Sequence, residues 1–275
     1  MLVPFLILFF TAVVLAAGMM TNTFFVGRHL DNFSVVDPIW ALGFTPIAVV
    51  YAVVAPGDPT RRAAMFLLVA VWSLRLGSHL FARWRKHLPY EDVRYARLRH
   101  EWGAATNRRM FGFYQLQGFL SAVLSLPFLL ACLDVRPETG PLGLGPVRWL
   151  GVFLVFAGIA GETVADRQLA RFRADPANKG KVCRAGLWSA SRHPNYFFEW
   201  LVWVGFAVFA IPSPWGWAGL LSPVAMWHFL VNVTGIPMTE ELSVQSKGDA
   251  YREYQRTTSA FFPWFPRRDA TAGKP

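Results

Sequence analysis

Four groups of polar residues interrupt otherwise apolar stretches of this chain, and their types limit the chemistry open to it. Arg75 and His79 are four residues apart, so a helix puts them on one face, with Arg83 a further turn on. Glu162 and Asp166 share the same spacing and are followed by Arg167, Arg171 and Arg173. Two carboxylates on one helix face can hold a ribose or an amino group, and guanidinium groups grip phosphates bidentately. The densest run is Gly186-Leu187-Trp188-Ser189-Ala190-Ser191-Arg192-His193-Pro194-Asn195-Tyr196-Phe197-Phe198-Glu199-Trp200. Pro194 opens a helix there at a position where its missing N–H costs nothing, and the helix N-terminus offers amide donors to an anion. Asn195 and Glu199 then repeat at i, i+4, with Trp203 one turn further down the same face. Last come His228 and Asn232, Thr239-Glu240-Glu241, and a segment with Tyr251 and Tyr254. His228 reads as a satisfied packing histidine, and the Tyr254 region as a lid over a cytosolic mouth or as a surface helix.

The elements that must carry these groups are transmembrane helices. Of 275 residues, 54% are hydrophobic and only 16% charged, where soluble domains carry about 25%. Spans of about 20 apolar residues fall at 1–20 and near 38–56, 63–82, 110–133, 147–165, 196–212 and 214–235. The expected fold is all-α, a single seven-helix membrane domain over 1–266, followed by a disordered polar tail over 267–275. The turn Ile211-Pro212-Ser213-Pro214 predicts a tight hairpin between the last two spans. Lys and Arg split twenty-two to four between the two faces, with Arg75 inside a span, which puts the C-terminus in the cytosol. The net charge of +10 is therefore that of cytosolic loops and not of a nucleic-acid-binding surface. Ionisable groups at membrane depth are costly and mark function by default, although a lone buried cation or an interfacial ion pair can be structural.

No GxGxxG follows a strand and no GxxxxGK[ST] occurs, so a nucleotide is not held by a Rossmann unit or a P-loop. The two cysteines, Cys132 and Cys183, stand alone on opposite expected faces, and no Cys/His cluster has zinc spacing, so no metal is expected.

The run GLWSASRHPNYFFEW, a hydrophobic hairpin and then TEELSVQSKGDAYREYQRTTSAFFPWFP resemble the C-terminal part of the steroid 5α-reductase superfamily, most closely its bacterial branch. WSLRLGSHLFARW with EDVRY, and DPIWALGF, extend the likeness over most of the chain. The resemblance implies an enzyme of the bacterial inner membrane. In it, NADPH in a cytosol-facing cavity reduces the C4–C5 double bond of a 3-oxo-Δ4 steroid or a similar lipid enone. Asp166 and Arg173 look like the family's adenosine and phosphate contacts, Asn195 and Glu199 like those near the ribose and nicotinamide, and Trp203 like a wall of the cavity. Arg192, His193, Tyr196 and Tyr254 complete the expected cofactor set. Arg75 resembles the basic residue on the third span, and His79, on its face, is the expected donor to the ketone, ahead of Tyr51, Tyr114 and Tyr196. Glu199 completes the expected catalytic set. The glutamate and tyrosine that polarise the ketone in animal steroid 5α-reductases have no counterpart: the second span has no acid beyond Asp37, and Trp72 stands in the tyrosine's place.

Two other classes fit part of the pattern. An S-adenosylmethionine-dependent lipid or isoprenylcysteine-type carboxyl methyltransferase shares the Arg-His-Pro-x-Tyr run and would use Glu240 and Glu241. A transporter or sterol-binding protein needs a polar path through the bundle, whereas the ionisable groups crowd towards one face. Seven basic residues over 166–195 favour a dinucleotide over the sulfonium ligand.

The charge asymmetry makes a direct prediction. A reporter fused after Pro275 is expected to be active only on the cytosolic side; activity on the other side would reverse both the topology and the side from which a cofactor enters.

Overall fold

The computed structural model describes residues 2–266. The tail expected to be disordered, 267–275, lies outside them. Among the described residues the chain is all-helical, with no strand and a single β-bridge between Ser191 and Ser259. In chain order the α-helices are α1 (Leu2–His29), α2 (Val36–Leu42), α3 (Phe44–Val54), α4 (Pro59–His87), α5 (Val93–Trp102), α6 (Thr106–Leu124), α7 (Leu126–Leu133), α8 (Pro146–Ala174), α9 (Leu187–Ala190), α10 (Pro194–Ala210), α11 (Leu221–His228), α12 (Ile236–Lys247) and α13 (Asp249–Thr257).

Six segments among the described residues are long and apolar enough to cross a membrane: α1, α2 with α3, α4, α5 through α7, α8, and the stretch Gly216–Lys247. The multi-pass helical architecture thus stands, with six such segments against the seven expected. The remaining expected span is α10, whose 17 residues reach about 25 Å, short of a 30 Å hydrocarbon core. The expected tight hairpin after α10 is also longer than the sequence indicates. Trp215 turns left-handed at φ 61°, and a 3-10 turn, Gly216–Leu220, precedes α11.

Breaks in the spans follow from proline. Pro46 cannot donate to Leu42, and α2 gives way to α3 at Gly43; Pro127 cannot donate to Val123, and α6 gives way to α7 at Ser125. Asp58 caps α4 by accepting from Arg61 N, with Pro59 behind it.

The chain divides into two compact units. The first comprises 1–150 and 206–222. In it α1 lies against α6 through Ala12, Ala16 and Met20, at a spot where a Cβ on Gly118 would stand 3.2 Å from the Ala16 carbonyl oxygen. One cluster of its core joins Met20, Phe24, Phe33, Tyr95, Met110 and Tyr114, and another sets Phe44, Trp72, Phe128 and Phe206 edge to face. The Tyr114 hydroxyl donates to the Phe33 carbonyl, and the Tyr51 hydroxyl lies 2.9 Å from Ser125 Oγ, so both phenols are engaged by the protein.

The first unit also buries a charge network. Asp134 Oδ2 receives Arg61 at 2.7 Å and Arg148 at 2.8 Å, while Oδ1 receives Arg136 at 3.0 Å. Arg148 further bonds Glu138 and the Phe209 carbonyl, and Arg61 the Arg136 carbonyl. Burial works against the Asp134 charge, but the Arg136 hydrogen bonds and the Arg61 charge outweigh it and hold the carboxyl below its ordinary value. Asp134→Ala leaves two buried guanidinium groups short of their shared carboxylate and is expected to cost about 3–5 kcal/mol. Arg136→Ala, with a side chain 55% exposed, is expected to cost under about 1 kcal/mol. Thermal unfolding of the two variants in detergent checks the order.

Candidate functional site

The second unit comprises 151–205 and 223–275 and carries most of the residues singled out by the sequence. Arg75 and His79 are not among them. They lie on α4 in the first unit, Arg75 half-buried and His79 exposed.

Within the second unit, α8 and α10 approach closely along glycines. A Cβ on Gly158 would stand 2.8 Å from the Phe198 carbonyl oxygen and 2.6 Å from Val202 Cγ2; one on Gly205 would stand 2.7 Å from Val155 N. Without side chains at these positions the backbones meet, the usual means by which membrane helices associate. The packing sets Glu162 and Asp166 of α8 and Asn195 and Glu199 of α10 in one helix pair. Arg173 lies seven residues beyond Asp166 on the same face of α8. It is exposed and repels Lys247 at the end of α12, so two cations share this end of the unit.

Gly186, at φ 60°, turns the chain where a side chain would strike Gln168, whose Oε1 accepts from Leu187 N at 2.9 Å. Trp188 Nε1 then donates to the Ala165 carbonyl of α8 at 3.0 Å. The Arg-His-Pro run follows and is locked into the C-terminal segment. Arg192 N donates to the Ser259 carbonyl at 2.8 Å, Ser191 Oγ to the Phe261 carbonyl at 2.9 Å, and Trp264 N to the Ala190 carbonyl at 2.9 Å. The Arg192 side chain, in a residue only 9% exposed, gives Nε to Glu240 Oε1 at 2.6 Å and Nη1 to the Gln255 and Thr258 carbonyls. Gln255 Nε2 donates to the other Glu240 oxygen at 2.8 Å. Tyr254 is buried, and its hydroxyl donates to the Trp188 carbonyl. The two sequence blocks around Arg192 and Tyr254 thus form one structure, in which both side chains are clamps. The Tyr254 region is pinned and not a free lid.

His193 stacks on Tyr196 at 5.3 Å between centroids, and its Nε2 lies 3.2 Å from Glu240 Oε1. Tyr196 Oη is 3.3 Å from Thr239 Oγ1. On α10, Glu199 is 6% exposed and accepts from Trp203 Nε1 at 2.9 Å, which aims the carboxylate along the helix. A turn closer to the start of α10, Asn195 has a buried Oδ1 with no hydrogen-bond partner among the described residues. A buried carbonyl oxygen with nothing to accept from costs free energy, and Glu162 Oε2 on α8 is another such buried atom. Among the described residues no group of three or more His, Cys, Asp or Glu side chains gathers as a metal site.

His228 departs from its reading as a packing histidine. It is exposed, at the end of α11, and leads into a π-turn, Phe229–Val233, that sequence periodicity did not signal.

Fold and site together define a multi-pass, all-helical membrane protein with a polar helix face at the N-terminal end of α10. The chain belongs to the family described as Protein of unknown function (DUF1295), whose match covers residues 23–258, and this family lies in the steroid 5α-reductase-like group. It is 27% identical over 261 positions, covering 84% of this chain and 73% of the relative, to an uncharacterized protein of Schizosaccharomyces pombe. No solved structure matches the chain.

Burial pushes the His193 imidazole below its ordinary value of 6.5, against the hydrogen bond to Glu240. His193 is therefore neutral in the folded chain near pH 7, with its Nε2 proton towards Glu240. As the pH falls the unfolded chain takes up this proton first, so the stability is held above about pH 6.5 and lost below it. His193→Gln, which keeps an amide donor towards Glu240, is expected to flatten the fall in melting temperature between about pH 6.5 and 5; an unchanged slope would remove His193 as its cause.

Proposed function

We propose that the chain is an NADPH-dependent reductase of a carbon–carbon double bond conjugated to a ketone, acting on a steroid-like lipid from the cytosolic side of a bacterial inner membrane. The observation that carries this reading is the unmet buried acceptor of Asn195, one turn from a Glu199 carboxylate already oriented by Trp203. Membership of a family in the steroid 5α-reductase-like group is compatible with it.

The residues present fit the cofactor. Asn195 Oδ1 is an acceptor suited to a carboxamide or hydroxyl donor, and Glu199 is a second acceptor on the same face. Asp166 would serve the adenosine ribose, and Arg173, beside Lys247, supplies cationic charge where a phosphate would relieve their repulsion. NADPH supplies a hydride when bound. The chain must do the rest: orient the substrate, exclude water, and put a donor where negative charge builds on the ketone oxygen as the β-carbon is reduced. Arg192, His193, Tyr196 and Tyr254 act in this scheme as positioning residues. The clamp fixes the start of α10, and with it the direction of Asn195 and Glu199. The methyltransferase reading draws on Glu240, whose two oxygens are taken by Arg192, His193 and Gln255, and no observation favours it.

The test is steady-state turnover of the purified full chain with a 3-oxo-Δ4 steroid such as progesterone. Asn195→Ala and Glu199→Ala are expected to abolish NADPH oxidation in protein that still inserts and folds. Arg173→Ala is expected to raise the apparent NADPH constant by roughly 10- to 150-fold, the loss of one charge-assisted contact, with little change for NADH. Equal use of the two cofactors by the wild type would remove the phosphate assignment, and no oxidation of either with any enone would remove the reading as a whole.

A further inference from the structure

The run Phe261-Phe262-Pro263-Trp264-Phe265-Pro266-Arg267-Arg268 takes no part in the function proposed above. Its first ring is buried, whereas Phe262, Trp264 and Phe265 are exposed, Phe265 by 85%. Large apolar side chains grouped on a surface mark contact with a partner or a membrane. Main-chain bonds hold the segment. Ser191 Oγ donates to the Phe261 carbonyl and Trp264 N to the Ala190 carbonyl, both at 2.9 Å, so the rings are presented in a fixed arrangement.

The place of the segment follows from α10. Phe261 and Phe262 both pack on Phe197 and Trp200, with ring centroids 5.6 to 6.0 Å apart. Phe197 and Trp200 belong to the first two turns of an otherwise apolar helix, about 5 and 9 Å along it from Pro194. That helix starts at the surface which the split of Lys and Arg assigns to the cytosol. The exposed rings therefore stand at the cytosolic boundary of the hydrocarbon, the level at which amphipathic aromatic side chains gather in membrane proteins.

The same rings form one wall of a recess of about 330 Å³. Its other wall is polar, with Arg256, Thr257 and Ser259. An apolar wall opposite a cationic, hydroxyl-bearing one fits an amphiphile better than a free ion: esters and first methylenes lie against the rings, and an anion meets the guanidinium. A phospholipid carries these parts in that order. Arg267 and Arg268, next in sequence, add positive charge to this end of the chain, as segments that bind anionic lipid do.

We propose that the recess holds an anionic phospholipid of the cytosolic leaflet, with its phosphate at Arg256 and its glycerol esters against Trp264 and Phe265. The occupant is a lipid because a chain with six apolar segments long enough to cross a membrane has a bilayer around it at the level where the rings are exposed. Ala190 and Ser191 bind the same segment, so a lipid held there is tied to the start of α10. The inference does not depend on the reductase reading.

The test uses the purified full chain in phosphatidylcholine nanodiscs carrying a minor fraction of brominated phosphatidylcholine or brominated phosphatidylglycerol. The quenching due to Trp264 is the difference between the wild type and Trp264→Phe. Trp264 is expected to be quenched by both lipids and shielded from aqueous acrylamide. Phosphatidylglycerol is expected to reach it roughly 5-fold more readily, the worth of one basic residue beside an anionic lipid. In Arg256→Gln or Arg256→Ala, whichever folds, that preference is expected to vanish while phosphatidylcholine still quenches. Quenching by acrylamide and not by lipid places the rings in water and overturns the proposal. Shielding from both assigns the cover to a second copy of the chain and overturns it equally. A preference that survives in a folded Arg256 variant removes the lipid from the recess, and one that inorganic phosphate abolishes at matched ionic strength gives the recess to a free anion instead.

Discussion

A guanidinium cannot be taken out of water unless nearly all its donors are met, and the Arg192 side chain satisfies that condition with groups drawn from three places in the sequence: Glu240, the Gln255 carbonyl and the Thr258 carbonyl. Because the cation is fixed, the segment that bears it is fixed, and Pro194 starts α10 two residues later. The direction of α10 as it leaves the Arg192 clamp decides where Asn195, Glu199 and Trp203 stand. The first unit repeats the same physics at Asp134, where Arg61 and Arg148 share one carboxylate oxygen. Each buried cation is a structural tie whose cost of desolvation is offset by its carboxylate and carbonyl partners. For that reason Arg192, for all its place in the densest polar run of the sequence, serves to hold segments together.

That division separates two kinds of polar residue. Arg192, Tyr254 and Tyr114 have their polar atoms engaged by backbone carbonyls of the chain itself, which makes them rigid. Asn195 Oδ1 is buried and unmet among the described residues, and the His228–Asn232 pair is exposed. An unmet buried acceptor contributes nothing to stability.

Helix positions were legible in the sequence because hydrophobic length is a direct statement about a bilayer, and prolines 46, 127 and 194 mark breaks and starts where backbone donors are missing. The pairing of the Arg192 block with the Tyr254 block was legible only as resemblance. No periodicity links residues sixty apart, and the bonds that join Ser191 to Phe261 and Ala190 to Trp264 run through main-chain groups that every residue carries. The surroundings of Arg192 were hidden for the same reason: the one-dimensional sequence shows a cation beside a helix start and not the carbonyls that surround it. The π-turn left no signal either, since one extra residue in a turn is smaller than the uncertainty of any span boundary.

Glycine then explains why the polar face on α10 has the register it has. Gly158 on α8 meets the backbone of α10 at Phe198 and Val202, and Gly205 on α10 meets that of α8 at Val155 and Gly151. A side chain at either position would have to push the helices apart, and a shift of a few tenths of an ångström at Gly158 is carried to Glu199, next to Phe198 in sequence. Glu162, one residue beyond Gly161, is moved by the same displacement from the α8 side. Close backbone contact is thus a means of positioning acids through packing, with Trp203 Nε1 setting the Glu199 carboxyl on its own helix. The register of the polar face on α10 is then fixed by apolar packing against α8.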